Sequence, residues 1–124
     1  MYQQKYRYYN TKKCNGYDSK FEAGYAADLK LRQKAGDIKS WESQVNLDLN
    51  VNGYRVCQYR IDFIVYHNDG TVEYVETKGY PTPIWRLKWK LFEALFSDIP
   101  GNKLTVVMQG RQKPPRARKI KKPI

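Results

Sequence analysis

The sequence predicts one α/β (α+β) domain around a mixed central sheet flanked by helices, in the order helix, three strands, helix, strand. Three observations predict it. Two segments carry apolar residues at helical spacing, with helix-start and helix-stop residues at their ends. Between them lie three strand-like runs joined by tight-turn sequences, Asn52-Gly53 and His67-Asn68-Asp69-Gly70. After the second helix comes one more apolar run, and a strand that follows a helix pairs in parallel with an earlier strand through a right-handed crossover.

The elements follow in order. A first helix is expected from about Asp18 or Ser19 to just before Gly36. Phe21, Tyr25, Ala26, Leu29 and Ala35 make its apolar stripe. Ser19 with Glu22 three residues later forms a capping box, and Gly36 suits the position just past the end. Gly24 costs a helix interior about 1 kcal/mol relative to Ala, which suggests a close packing contact there. From Trp41 to Val51, Val45, Leu47, Leu49 and Val51 alternate with polar residues, so this is a strand with one buried face. Asn52-Gly53 turns the chain into a return strand, Tyr54 to Tyr66. A third strand runs from Thr71 to Lys78 and is ended by Gly79 and Pro81. Thr82 caps the second helix with Pro83 in its first turn, and Ile84, Leu87, Leu91, Phe92 and Leu95 are expected to face the core. Trp85 and Trp89 are expected in the core or at a partner interface. Leu104 to Met108 is the last strand.

The chain has 124 residues, the size of one domain. No apolar run approaches the roughly 18 residues that cross a bilayer, and the polar, tyrosine-rich start is unlike a signal peptide. Cys14 and Cys57 are too few for a disulfide framework or a zinc site, so no disulfide partner and a reduced, cytoplasmic protein are expected. His67 alone supplies no histidine cluster, and in its turn it reads as plain loop.

Charge divides the chain into three. Residues 1–13 form a tyrosine-rich arm with Lys5, Arg7, Lys12 and Lys13 and no acid. Residues 111–124 form a proline-containing tail with Arg111, Lys113, Arg116, Arg118, Lys119, Lys121 and Lys122 and no acid. Residues 14–110 hold 12 residues of each sign, so the whole formal charge of +11 sits in the two ends. A neutral body with cationic arms suits a polyanion, nucleic acid above all; solubility alone is the plain alternative. Arg86 and Lys90, one turn apart on the second helix, are further candidates for phosphate contact, unless they only form a solvated helix face.

Two of the strands set acids among apolar residues. In the second, Ile61, Phe63 and Val65 are expected on one face with Asp62 and Ile64 on the other. In the third, Tyr74, Glu76 and Lys78 share a face. The connecting hairpin can bring Asp62 beside Glu76. Adjacent carboxylates repel, and a divalent cation relieves the repulsion; oxygen ligands suit Mg²⁺, with Mn²⁺ as a substitute. Lys78 can then orient an attacking water or steady charge on a phosphate. Structural readings stand beside these: an exposed Glu76–Lys78 ion pair, Asp62 paired with Arg55 or Arg60, and Glu22 as a helix cap only.

Asp62, a hairpin, then Glu76-Thr77-Lys78 resembles the PD-(D/E)XK pattern of the restriction-endonuclease-like superfamily, which also holds Holliday-junction resolvases. The likeness is closer to small phage and prophage nucleases of that superfamily. It is carried by Asp18-Ser19-Lys20-Phe21-Glu22-Ala23, Asp62-Phe63 and Lys78-Gly79 and spans about residues 17–97. Ile61 stands where the superfamily's name has proline, a residue many members lack. The resemblance implies a restriction-endonuclease-like fold, Asp62 and Glu76 as metal ligands, Lys78 as the catalytic lysine and Glu22 as a further acid on the metal or its water. It implies a Mg²⁺-dependent endonuclease acting on DNA in the host cytoplasm or nucleoid, and by analogy a homodimer. A non-catalytic nucleic-acid-binding protein and an RNA-processing nuclease are the rival readings.

Overall fold

The computed structural model describes residues 16–17, 19–79 and 81–108. Both arms lie outside these residues, and with them Lys5, Arg7, Lys12, Lys13, Arg111, Lys113, Arg116, Arg118, Lys119, Lys121 and Lys122; so does Asp18. The described chain runs α1 (Lys20–Lys34), β1 (Ser40–Val51), β2 (Tyr54–Tyr66), β3 (Val72–Lys78), α2 (Pro83–Phe96) and β4 (Asn102–Met108). The four strands form one sheet in the order β1-β2-β3-β4. The first two pairings are antiparallel, and β4 runs parallel to β3 after α2, as expected.

The ends of these elements follow their local chemistry. Ser19 caps α1, its hydroxyl accepting from the Glu22 N–H at 3.1 Å. At the other end Gly36 takes a φ of 81° that costs glycine little, and the amides of Gly36 and Asp37 return to the carbonyls of Gln33 and Arg32. Asn52 and Gly53 both have positive φ, the condition for the tight turn between β1 and β2. Thr82 caps α2 through the Trp85 N–H, with Pro83 opening the helix.

Two apolar clusters lie on opposite faces of the sheet. One joins Ala26 and Leu29 of α1 and Ile38 to Phe63, Val65 and Val75. The other joins Trp85, Trp89 and Phe92 of α2 to Leu49, Tyr59, Ile61 and Ile64. A regular strand would send Ile61, Phe63 and Val65 to one face. Instead Ile61 packs with α2, and Phe63 and Val65 pack with α1. β1 changes sides at the same level: Trp41 belongs to the α1 cluster, Val45 and Leu47 to the α2 cluster. The cause lies at Gln44, whose φ of 55° is the left-handed conformation that non-glycine residues rarely adopt. Gln44 falls between the ladder pairs Ser43↔Phe63 and Val45↔Ile61, opposite Asp62, so both strands turn over together and register is kept.

Three further expectations are corrected. Ile84 and Leu87 do not face the core: they are 69% and 70% exposed, and the buried side of α2 carries Trp85, Trp89 and Phe92. Both sets have helical spacing, and the side with the larger aromatic area is the one that is buried. Ala35 is exposed because it is the C-cap of α1, and Phe21 and Tyr25 are only half-buried. Gly24 marks no close contact, since a Cβ built there meets nothing within 4 Å. Replacing it should therefore remove only its conformational cost: Gly24→Ala is expected to raise stability by about 1 kcal/mol, measured as a shift in the urea midpoint at constant slope.

Candidate active site

β2 and β3 pair regularly from Tyr66↔Val72 to Phe63↔Val75. One step further the register sets Asp62 opposite Glu76, and there the backbone ladder gives way to side chains. The Asp62 N–H donates to Glu76 Oε2 at 3.3 Å. In return, Asp62 Oδ2 accepts from the Thr77 N–H at 2.9 Å and from the Thr77 hydroxyl at 2.8 Å. The two carboxylates thus satisfy the strand groups that their own separation leaves unpaired, which keeps buried polar groups from costing stability.

Glu76 is 3% exposed, so it is not part of a surface ion pair. Burial first, and the Asp62 charge second, push its carboxyl up to about 8. Lys78, a hydrogen bond with Tyr59 and the Asp62 amide pull the other way without prevailing. The Lys78 ammonium lies 3.9 Å from Glu76 Oε1 and 5.1 Å from the centroid of the Trp85 ring, an ion pair on one side and a cation–π contact on the other. Tyr59 is 3% exposed and accepts from Trp85 Nε1 at 3.1 Å; burial and the Glu76 charge raise its hydroxyl pKa.

Glu22 is brought in from α1. It is 5% exposed, and its Oε1 accepts from Gln44 Nε2 at 3.4 Å. Glu22 therefore has a partner on β1 in addition to its backbone role at the cap. Gln44, strained in φ and opposite Asp62, links the helix acid to the strand acid by position. Sequence reasoning missed Tyr59, the hydrogen bonds of Thr77 to Asp62 and the role of Trp85.

The other candidates lie elsewhere. Arg55 pairs with Asp48 at 3.8 Å. Arg86 and Lys90 are exposed on α2, and Lys88 donates to the Gln58 carbonyl at 3.1 Å. His67 is more than loop: its Nε2 is 2.8 Å from Glu73 Oε1, and Thr105 donates to Glu73 Oε2 at 2.6 Å. Burial alone would raise the Glu73 pKa; the Thr105 and His67 hydrogen bonds and the Lys103 charge bring it below its ordinary value. Glu73 lies at the opposite end of β3 from Lys78.

As a donor set, Asp62 and Glu76 are hard oxygen ligands, adjacent and mutually repulsive, which suits a Mg²⁺-type cation. Among the described residues no group of three or more His, Cys, Asp or Glu side chains is arranged to hold a metal. Mg²⁺ is characteristically held by one or two carboxylates, with water and phosphate oxygens completing its shell, so the pair still fits.

The raised Glu76 pKa has a definite sign in stability. The folded protein keeps this proton up to about pH 8, whereas an unfolded chain loses it near 4.5. Between those values the folded state binds more protons, so this group makes metal-free stability fall as pH rises, levelling off above 8. Relative to the parent, Glu76→Gln should flatten the stability profile between pH 5 and 8 in urea unfolding and gain most at the alkaline end.

Among the described residues no helix is long and apolar enough to cross a membrane, and Cys57 is a free thiol. No curated protein and no solved structure matches the chain. A family model described as a protein of unknown function (DUF1064) matches residues 3–111, most of the chain. It covers α1, all four strands, α2 and the residues gathered around Asp62 and Glu76. The chain therefore belongs to the DUF1064 family.

Proposed function

We propose that this protein is a metal-dependent endonuclease that hydrolyses phosphodiester bonds in DNA. The observation that carries the reading is the group at the parting of β2 and β3: Asp62 opposite Glu76, with the Lys78 ammonium 3.9 Å from Glu76. Asp62 and Glu76, helped by Glu22, would hold a Mg²⁺ ion, with Mn²⁺ as a substitute. Bound there, the ion supplies a nucleophilic water at neutral pH and charge neutralisation on the phosphate. Lys78 would orient the attacking water or steady the charge that builds on the phosphoryl oxygens. Glu22, tied to Gln44, adds negative charge from the helix side.

Affinity for the polyanion comes from the arms and from Arg86 and Lys90. The elements are joined by short turns, which supports selectivity for branched shape over base sequence. Cutting both strands takes two sites, which a homodimer would supply. The resemblance to phage and prophage nucleases supports work in the host cytoplasm or on its nucleoid.

The test is to incubate the protein with linear, branched and single-stranded DNA and with RNA, in Mg²⁺, Mn²⁺ or EDTA. Cleavage of branched DNA that EDTA abolishes is expected. No metal-dependent cleavage of any substrate would overturn the reading in favour of a binding protein, and cleavage of RNA alone would make it an RNA-processing enzyme. Asp62→Asn, Glu76→Gln and Lys78→Ala should each remove cleavage while leaving DNA affinity largely intact. Glu22→Gln should melt within a few degrees of the parent and cut far more slowly. Its control, Ser19→Ala, should cost about 1 kcal/mol of stability and leave chemistry unchanged.

Deleting residues 111–124 removes seven cations. The slope of log affinity against log salt should then fall by up to about six on duplex DNA, with turnover of bound substrate little changed. An unchanged slope would show that the tail does not touch DNA.

A further inference from the structure

Behind Glu76 and Lys78 lie two side chains from different elements, Tyr59 of β2 and Trp85 of α2. The Trp85 Nε1–H donates to the Tyr59 hydroxyl oxygen at 3.1 Å. An indole N–H only donates, so the phenol oxygen is the acceptor there and its own proton remains for another partner. That partner is Glu76, which is hydrogen-bonded to Tyr59. With a cation bound, Glu76 is ionised and only accepts. In that state the chain runs Trp85 N–H to Tyr59, Tyr59 O–H to Glu76. A second donor from β2, the Asp62 N–H, reaches Glu76 Oε2 at 3.3 Å. The face of the same indole carries the Lys78 ammonium at 5.1 Å. Trp85 thus touches one half of the pair directly, its ring face on Lys78, and the other through Tyr59, which its N–H holds.

We propose that Tyr59 and Trp85 are positioning residues of this site: Tyr59 fixes the Glu76 carboxylate for a divalent cation, and Trp85 fixes Tyr59 and seats Lys78. The inference rests on the nuclease reading. As core residues alone, the indole N–H and the hydroxyl would need only each other; here the hydroxyl is also hydrogen-bonded to Glu76. The Tyr59 ring packs against Trp89 and Phe92 at 6.2 and 5.4 Å between centroids, and phenylalanine would keep both contacts. Carboxylate ligands are themselves hydrogen-bonded in metal sites, and loss of such a partner typically costs about 10–100-fold in metal affinity or activity.

The test is Tyr59→Phe in the full chain, followed by Mn²⁺ calorimetry, metal-free melting and cleavage kinetics. About a tenfold loss of Mn²⁺ affinity is expected, with kcat reduced, KM for DNA unchanged and melting within a few degrees of the parent. Adding Tyr59→Phe to Glu76→Gln should bring no further loss of Mn²⁺ affinity. Tyr74→Phe, in the same cluster but against Phe92 and Phe96, should bind Mn²⁺ like the parent. Trp85→Phe keeps a ring under Lys78 but removes the N–H, and it should shift Mn²⁺ affinity in the same direction; it carries the test if Tyr59→Phe does not fold. A parent that binds Mn²⁺ and a folded Tyr59→Phe that binds it equally well would overturn the positioning role and leave the nuclease reading standing. A parent that binds no Mn²⁺ would overturn both.

Discussion

Asp62 and Glu76 are held side by side, and like charges at that spacing oppose folding. The surroundings are arranged around this one repulsion. Thr77 gives Asp62 two hydrogen bonds, the Asp62 amide and Tyr59 serve Glu76, and Lys78 stands 3.9 Å from it. Even so, the Glu76 carboxyl stays well above the usual range for a carboxylic acid. The stabilisation that offsets this comes from elsewhere, from the fully buried Phe63, Val65 and Val75 on one side and Trp89, Phe92 and Ile61 on the other. The carboxylate pair is thus strained by its own charges and held in place by ordinary packing.

Local signals made most of the fold legible. Ser19, Gly36, Asn52-Gly53 and Thr82-Pro83 each set a boundary because the constraint is short-range: a hydroxyl that reaches an amide, or a residue that tolerates positive φ. The pairing of Asp62 with Glu76 was legible as one arrangement the hairpin permits, because register across a turn allows it without fixing it. The turnover at Gln44 was not, because glutamine carries no signal for a left-handed backbone and only the tertiary structure imposes it. The misread face of α2 has a similar origin. Ile84, Leu87 and Leu91 recur at helical spacing, but so do Trp85, Trp89 and Phe92, and periodicity alone does not rank two competing stripes. Glu22 read equally well as a cap or as a site acid, and its side-chain contact with Gln44, 22 residues away, was not legible at all.

Net charge and the carboxylate pair are kept in different parts of the chain. The body carries equal numbers of acids and bases, and the +11 belongs to the ends. Sequence-independent attraction to a polyanion depends on how many cations reach it and weakens with salt. The pairing of Asp62 with Glu76 depends on register and burial, which salt hardly alters. The two properties can therefore be varied separately.

The turnover of β1 and β2 also decides where the sheet can be reached. On one face α2 covers Tyr59, Ile61 and Ile64, on both sides of the Gln44–Asp62 level; on the other α1 covers Phe63 and Val65, on one side of it. Ile61 and Phe63 on either side of Asp62 are 0% exposed, yet Asp62 itself is only half-buried. Cover by α1 ends at that level, which is where Asp62 keeps part of its surface in solvent between two fully buried neighbours.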